Sequence, residues 1–173
     1  MGVLYINIEK YPQYELYKFT KQLYENKEEL IPENCDNRCV FSTIINRCYY
    51  SAYLYVSLWL QEVYKFKPLS KEDFGENEFI TEHRQVQYKL LDVNQHSVRN
   101  KLYDLFNLRK KADYDPFYDI SEGELDDAMY LMEQIFKTLK IWGFMDLFLI
   151  LKKNSFRWSG SILGILHLHH WIL

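Results

Sequence analysis

The chain is poor in the residues that break regular structure. Its 173 residues hold only six glycines and four prolines, which leaves nothing resembling an interdomain linker. Strand-type alternation and hairpin dipeptides are missing too, which argues against a sandwich or barrel. Cysteine is scarce: Cys35, Cys39 and Cys48 form an odd set, and no second Cys or His pair follows at zinc-finger spacing. Reduced thiols in a cytosolic protein are expected from that pattern, with no metal and no cofactor. The start, Met1-Gly2-Val3-Leu4-Tyr5, has neither the basic region nor the apolar run of a signal peptide. The longest apolar stretch, Ile141 to Leu151, is interrupted by Asp146 and is too short to cross a bilayer. A cytoplasmic location with no membrane partner is therefore expected. Surplus positive charge is also lacking. With a net charge of −3 and a pI near 6.0, the chain has no overall pull toward nucleic acid, and only a local basic patch would bind it.

What the chain has in excess is aromatic side chains, 17% of residues, carried mainly by 15 Tyr and 11 Phe. Tyrosine is apolar along its ring and polar at its tip, so a surplus suits helix faces that are half buried or that meet a partner. The periodicity throughout is helical. A first helix is predicted from about Gln13 to Leu30, with Leu16, Phe19, Leu23 and Lys27 on one stripe. Pro32 and Glu33-Asn34 end it, and Asp36 or Asn37 caps a second helix running to about Phe66. Val40, Ile44, Cys48, Ala52, Tyr55 and Trp59 line one side of that helix, and Tyr49, Tyr50, Tyr53 and Leu60 lie toward another. A helix apolar nearly all round is central or lies in an interface. A polar connector, Pro68 to Asn77, leads to predicted helices over Thr81–Leu91 and Ser97–Ala112. Ser121 with Glu124 forms a capping box that opens the last strong helix, whose buried stripe is Leu125, Ala128, Met132, Ile135 and Leu139. The expected fold is all-α, an up-and-down bundle of four to five helices over residues 1–142. Residues 143–173 read as a C-terminal extension of different character, in which His167, His169 and His170 cluster without clear periodicity.

Two stretches carry candidate chemistry. On the helix Ser97–Ala112 the apolar stripe runs Val98, Leu102, Leu105, then Arg109, then Ala112, whereas Lys110 and Lys111 fall toward solvent. A cation on a core-facing stripe must overlie a groove or find a partner, because an unpaired buried charge is very costly. Guanidinium also grips phosphate oxygens with two prongs. Around Arg109 the sign of charge changes abruptly, from Arg99, Lys101, Lys110 and Lys111 to Asp113, Asp115, Asp119 and Glu122. Helix dipoles account for that change as well as a basic rim for RNA or nucleotide phosphate does. A structural ion pair of Arg109 with Asp113, or with an acid from another helix, is a further reading. The second stretch is Asn46-Arg47-Cys48-Tyr49-Tyr50-Ser51-Ala52-Tyr53. Asn and Arg in mid-helix imply hydrogen bonding inside the bundle or across an interface.

Together, the NR-x-YY-x-A-Y helix, the later LR-x-x-ADY and the acidic capped helix resemble the HEPN family (higher eukaryote and prokaryote nucleotide-binding domains). The closer likeness is to the small stand-alone prokaryotic branch, and it covers about residues 10–140. In HEPN ribonucleases an Arg and a His, with four to six residues between, meet at a dimer interface to form one metal-independent site. The resemblance implies an endoribonuclease of toxin or defence type acting as a homodimer on RNA. Arg109 matches the family Arg, and Tyr114 stands where the family has His, so the implied catalytic pair is Arg109 and Tyr114. Asn46, Arg47, Lys110 and Asp113 are the implied phosphate-binding residues. Phenol titrates near 10, far from the range where a proton carrier works best. The substitution therefore equally suits a non-catalytic module that binds nucleotide and pairs with a nucleotidyltransferase acting as antitoxin. His83 and His96 do not fit the motif, although either could approach it in space. Light scattering should report a two-fold dimer at concentrations on the order of tens of micromolar, an ordinary dimer affinity; a clean monomer would overturn that expectation.

Overall fold

Helix α2 (Arg38–Tyr64) is the element on which the other helices lie, and its side chains explain why. In the computed structural model, which describes residues 11–74, 79–115 and 117–139, α2 runs for about 40 Å at 1.5 Å per residue. Its contacts reach α1 (Pro12–Glu25), α3 (Glu82–Asp92), α4 (His96–Tyr114) and α5 (Glu122–Thr138). Val40, Ile44, Cys48, Ala52, Tyr55 and Trp59 are buried, and so are Tyr49, Tyr53 and Leu60 toward the other side. The described residues form five α-helices and no strand, packed as a bundle. No helix among them is long and apolar enough to cross a membrane. The 143–173 extension and its histidine cluster lie outside the described residues.

The small residues of α2 set its distance from α5. Ser51 and Ala52 are fully buried, and opposite them Met129 and Met132 fill the space. The Ser51 hydroxyl lies 2.9 Å from the Met132 sulfur and the Cys48 thiol 3.4 Å from that of Met129. Flexible thioethers suit a seam of this irregular shape. Burial pushes the Cys48 thiol well above its ordinary value, so it behaves as a small apolar group rather than a nucleophile. Next along the seam, Tyr55 stacks on Phe136 with ring centroids 4.2 Å apart, and its hydroxyl donates to the Leu139 carbonyl at 2.8 Å. Leu105, Leu102 and Val98 of α4 close the core from the other side.

Helix ends depart from the sequence expectation where side chains compete with the backbone. α1 stops at Glu25 rather than near Leu30: the Asn26 amide donates to the Gln22 carbonyl at 2.7 Å, and a 3₁₀ turn over Lys27–Leu30 follows. The predicted stripe on α1 is also rotated. Phe19 is 50% exposed and Thr20 is buried instead, its hydroxyl satisfied by the Leu16 carbonyl at 2.7 Å. The rotation lets Tyr17 stack on Phe136 and lets Tyr24 donate to Asp126 at 2.5 Å, so α1 meets α5 as well as α2. α2 ends at Tyr64 because Lys65 takes the left-handed conformation (φ 55°) and Phe66 returns its N–H to the Leu60 carbonyl at 3.2 Å. Asn94 (φ 60°) makes the equivalent turn between α3 and α4, and Gln95 donates to Leu90 at 2.8 Å.

The capping box predicted at Ser121 is present in both directions. The Ser121 hydroxyl accepts from the Glu124 backbone N–H, and the Glu124 carboxylate accepts from that of Ser121. Glu124 also receives the Tyr118 hydroxyl and pairs with Lys111 at 3.7 Å, which ties the start of α5 to the end of α4. Ser121→Ala should cost about 1 kcal/mol, read as a fall of a few degrees in melting temperature with the helical content unchanged.

Candidate functional site

A polar strip midway along α2 comprises Asn46, Arg47, Tyr50 and, a turn later, the exposed Leu54. Asn46, Tyr50 and Leu54 are four residues apart and therefore share a face. Together with Leu16 from α1 and Arg109 from α4 they line an open groove of about 420 Å³. Asn46, Arg47, Tyr50 and Arg109 bring polar groups to its wall, and Leu16 and Leu54 are apolar.

Arg109 is held on four sides. Its Nε lies 2.5 Å from Asp113 Oδ2, one helical turn on, and the two side chains are only 15% and 20% exposed. The Nε–H does not point along the oxygen's axis, so the contact works by charge and proximity rather than as an aligned hydrogen bond. Nη2 donates to the Tyr114 hydroxyl at 3.1 Å. The guanidinium also sits over two rings, 5.0 Å from the centroid of Tyr114 and 5.5 Å from that of Tyr50. Burial works against the charge, but Asp113, Tyr50 and the Tyr114 hydroxyl outweigh it and raise Arg109 further above its ordinary value. The cation is permanent.

Asp113 joins this cation to the polar strip of α2. Its Oδ2 also accepts from Asn46 Nδ2 at 2.9 Å, and Asn46 Oδ1 accepts from Arg47 Nη2 at 3.0 Å. Both ends of the Asn46 amide are thus committed, and one chain of contacts runs Arg47, Asn46, Asp113, Arg109, Tyr114. It carries two guanidinium charges against one carboxylate, a net positive charge facing the groove. A phosphate oxygen would find the two guanidiniums attractive and the Asp113 carboxylate repulsive, so Asp113 orients the cation rather than meeting an anion.

Of the residues singled out by sequence, Arg109, Asn46, Arg47, Asp113 and Tyr114 come together. Tyr114 is 66% exposed, at the end of α4 and beside the groove rather than in its wall. Lys110 is exposed and is not among the lining residues. Lys111 points away, with its amine 3.3 Å from the Tyr118 hydroxyl. His96 opens α4, with Val98, Leu102 and Leu105 between it and Arg109 along the helix.

His83 is different. From α3 it packs into the Tyr49–Tyr50–Tyr53 cluster, 4.2 Å from the Tyr53 ring centroid and 6.4 Å from that of Tyr50, whose ring Arg109 also approaches. Its Nδ1 lies 2.6 Å from the Tyr49 hydroxyl. Burial, and then the Arg109 charge, lower its titration below the ordinary histidine value, with Glu82 opposing in part. Burial raises the Tyr49 phenol, which stays a hydroxyl. Three tyrosines at helical spacing in α2 signal a platform in the sequence, but not what lands on it. Among the described residues no group of three or more His, Cys, Asp or Glu is placed to hold a metal.

No family model, curated protein or solved structure matches the chain.

The Asn46–Asp113 contact is predicted to couple α2 to α4. In a double-mutant cycle, Asn46→Ala and Asp113→Ala should show a coupling energy of about 0.5–3 kcal/mol, measured by denaturant unfolding. Strict additivity would mean the two groups do not meet in solution.

Proposed function

We propose that the chain is a HEPN-class protein that works as a two-fold dimer and cleaves RNA without a metal, as a toxin or defence effector in the cytoplasm. The observation that carries this reading is the pairing of Arg47 and Arg109 on one groove, held by a single chain of contacts through Asn46 and Asp113. Two fixed guanidiniums suit the phosphodiester, whose charge grows on its non-bridging oxygens as the transition state forms. Fixing them in advance means that little reorganisation is needed when the phosphate arrives. Tyr114 supplies a hydroxyl beside the cation and, as a phenol, serves as a hydrogen-bond donor to phosphate rather than a proton carrier at neutral pH. The same arrangement suits a second reading, a non-catalytic module that holds a nucleotide phosphate and pairs with a nucleotidyltransferase. The exposed Tyr114 is what favours it.

The test is substitution of the two arginines. Arg109→Ala and Arg47→Ala should each weaken RNA binding by about tenfold or more, since a charge-assisted hydrogen bond contributes roughly 1.5–3 kcal/mol. Each should also lower the slope of log affinity against log salt by about 1. Arg109→Lys keeps the charge but loses the fork, and should recover only part of the loss. Affinity unchanged in all three variants would sink the phosphate reading. Binding lost without any parent cleavage would favour the non-catalytic module.

A further inference from the structure

We propose that His83, from α3, is the proton-accepting group for a substrate held by Arg109, with Tyr49 as the residue that orients it. His83 does not line the groove but meets the same Tyr50 ring that Arg109 approaches. The inference rests on the RNA-cleaving reading above and supplies what Tyr114 cannot.

Four observations carry it. First, Tyr50 is a shared spacer: Arg109 lies over its ring at 5.5 Å and His83 meets it edge-on at 6.4 Å. The two groups can be no further apart than those legs laid end to end, a span that a ribose and its 3′-phosphate can bridge. Second, the imidazole is fixed. Tyr53 and Tyr49 flank its ring at 4.2 and 5.7 Å, and Tyr49 itself packs against Phe106 of α4. Third, only one ring nitrogen is engaged. Nδ1 bonds the Tyr49 hydroxyl at 2.6 Å, and no hydrogen bond to Nε2 is found among the described residues. A hydroxyl both donates and accepts, so this bond survives whichever nitrogen carries the proton, and the ring keeps its aim before and after transfer. Fourth, His83 is half-buried rather than sealed, and its neighbours favour the neutral ring. Tyr49, Tyr50 and Tyr53 face it from α2, Arg109 presents a cation from α4, and Glu82 on α3 opposes in part.

The step balances without a cofactor. The 2′-hydroxyl proton passes to Nε2 as the 2′-oxygen forms its bond to phosphorus. The bond from phosphorus to the 5′-oxygen breaks, its electron pair leaves on that oxygen, and water protonates it. The hydroxide so formed takes the proton back from the imidazolium. The products are a 2′,3′-cyclic phosphate and a 5′-hydroxyl, with Arg109 against the charge on the phosphoryl oxygens throughout.

The experiment compares the full-length parent with His83→Gln, using an end-labelled single-stranded RNA oligonucleotide of mixed sequence, with binding and cleavage read separately. His83→Gln should bind RNA as the parent does and cleave about 100-fold more slowly or worse, the usual weight of a proton-transfer group. The parent's rate should rise with pH through the lowered titration of His83 and level off near neutrality. That acidic limb should vanish in the variant, and added imidazole should restore part of the rate to His83→Gly. If His83→Gln fails to fold, Tyr49→Phe replaces it: the ring stays in its cluster, the anchor is lost, and the rate should fall with binding intact. Parent-like cleavage in either folded variant, or an unchanged acidic limb in His83→Gln, overturns the proposal. A parent that binds RNA through Arg47 and Arg109 but never cuts it overturns the role of His83 and leaves phosphate recognition standing. A parent that does not bind RNA overturns both readings.

Discussion

Burial of α2 on almost every side is the constraint from which the rest of the molecule follows. A helix with that many apolar side chains needs cover from four neighbours, and α1, α3, α4 and α5 provide it. Fully burying a large aliphatic or aromatic side chain contributes roughly 1.5–3 kcal/mol, so the dozen or so buried positions of α2 supply a large share of the hydrophobic stabilisation. In the middle turns of α2 the strip of Asn46, Arg47, Tyr50 and Leu54 stays partly uncovered. Polar groups placed there cannot turn freely to solvent and must find partners in the bundle, which is why they form a connected network rather than a scatter of surface charges.

Electrostatics at the end of α4 illustrates how competing effects are resolved. A carboxylate in the last turn of a helix faces the negative end of the dipole, an unfavourable term of about 0.3–1 kcal/mol. Asp113 occupies that place because Arg109, one turn earlier, and Asn46, from α2, both reach its Oδ2. One hydrogen-bond donor and one cation at the same oxygen, with the Arg109 and Asp113 side chains largely covered, outweigh the dipole. The pair is thus partly structural. That role and the proposed phosphate recognition do not compete, since Asp113 takes only the Nε side of the guanidinium and Tyr114 one terminal nitrogen.

How much of this was legible in the sequence depends on the range of each interaction. The Ser121–Glu124 box is written in neighbouring residues and reads directly. The central place of α2 follows from its composition alone. The position of Arg109 on the covered stripe of α4 was equally plain, because Val98, Leu102, Leu105 and Ala112 mark the face. The rotation of α1 was not, since Phe19 and Thr20 trade places only once α5 offers Phe136 and Asp126 to Tyr17 and Tyr24. Nor was the partner of Asn46: Asp113 lies far along the chain, on a helix whose register against α2 no local pattern specifies. His83 could be named in the sequence only as a residue outside the motif and able to approach it, for the same reason. Its significance lies entirely in being carried by α3 into a cluster of tyrosines from another helix.

The sulfur seam between α2 and α5 makes the bundle a recorder of its own opening. Met132 is inaccessible to solvent, with its thioether against the Ser51 hydroxyl, and Met129 is 7% exposed beside Cys48. Peroxide reaches the Met132 sulfur only when the two helices part. Once oxidised, the thioether becomes a bulkier and strongly polar sulfoxide that does not fit a gap sized by serine and alanine. Each opening in oxidant therefore carries a chance of being made permanent. The slow accumulation of oxygen on Met132 would count the excursions of a fold that otherwise leaves no trace of having loosened.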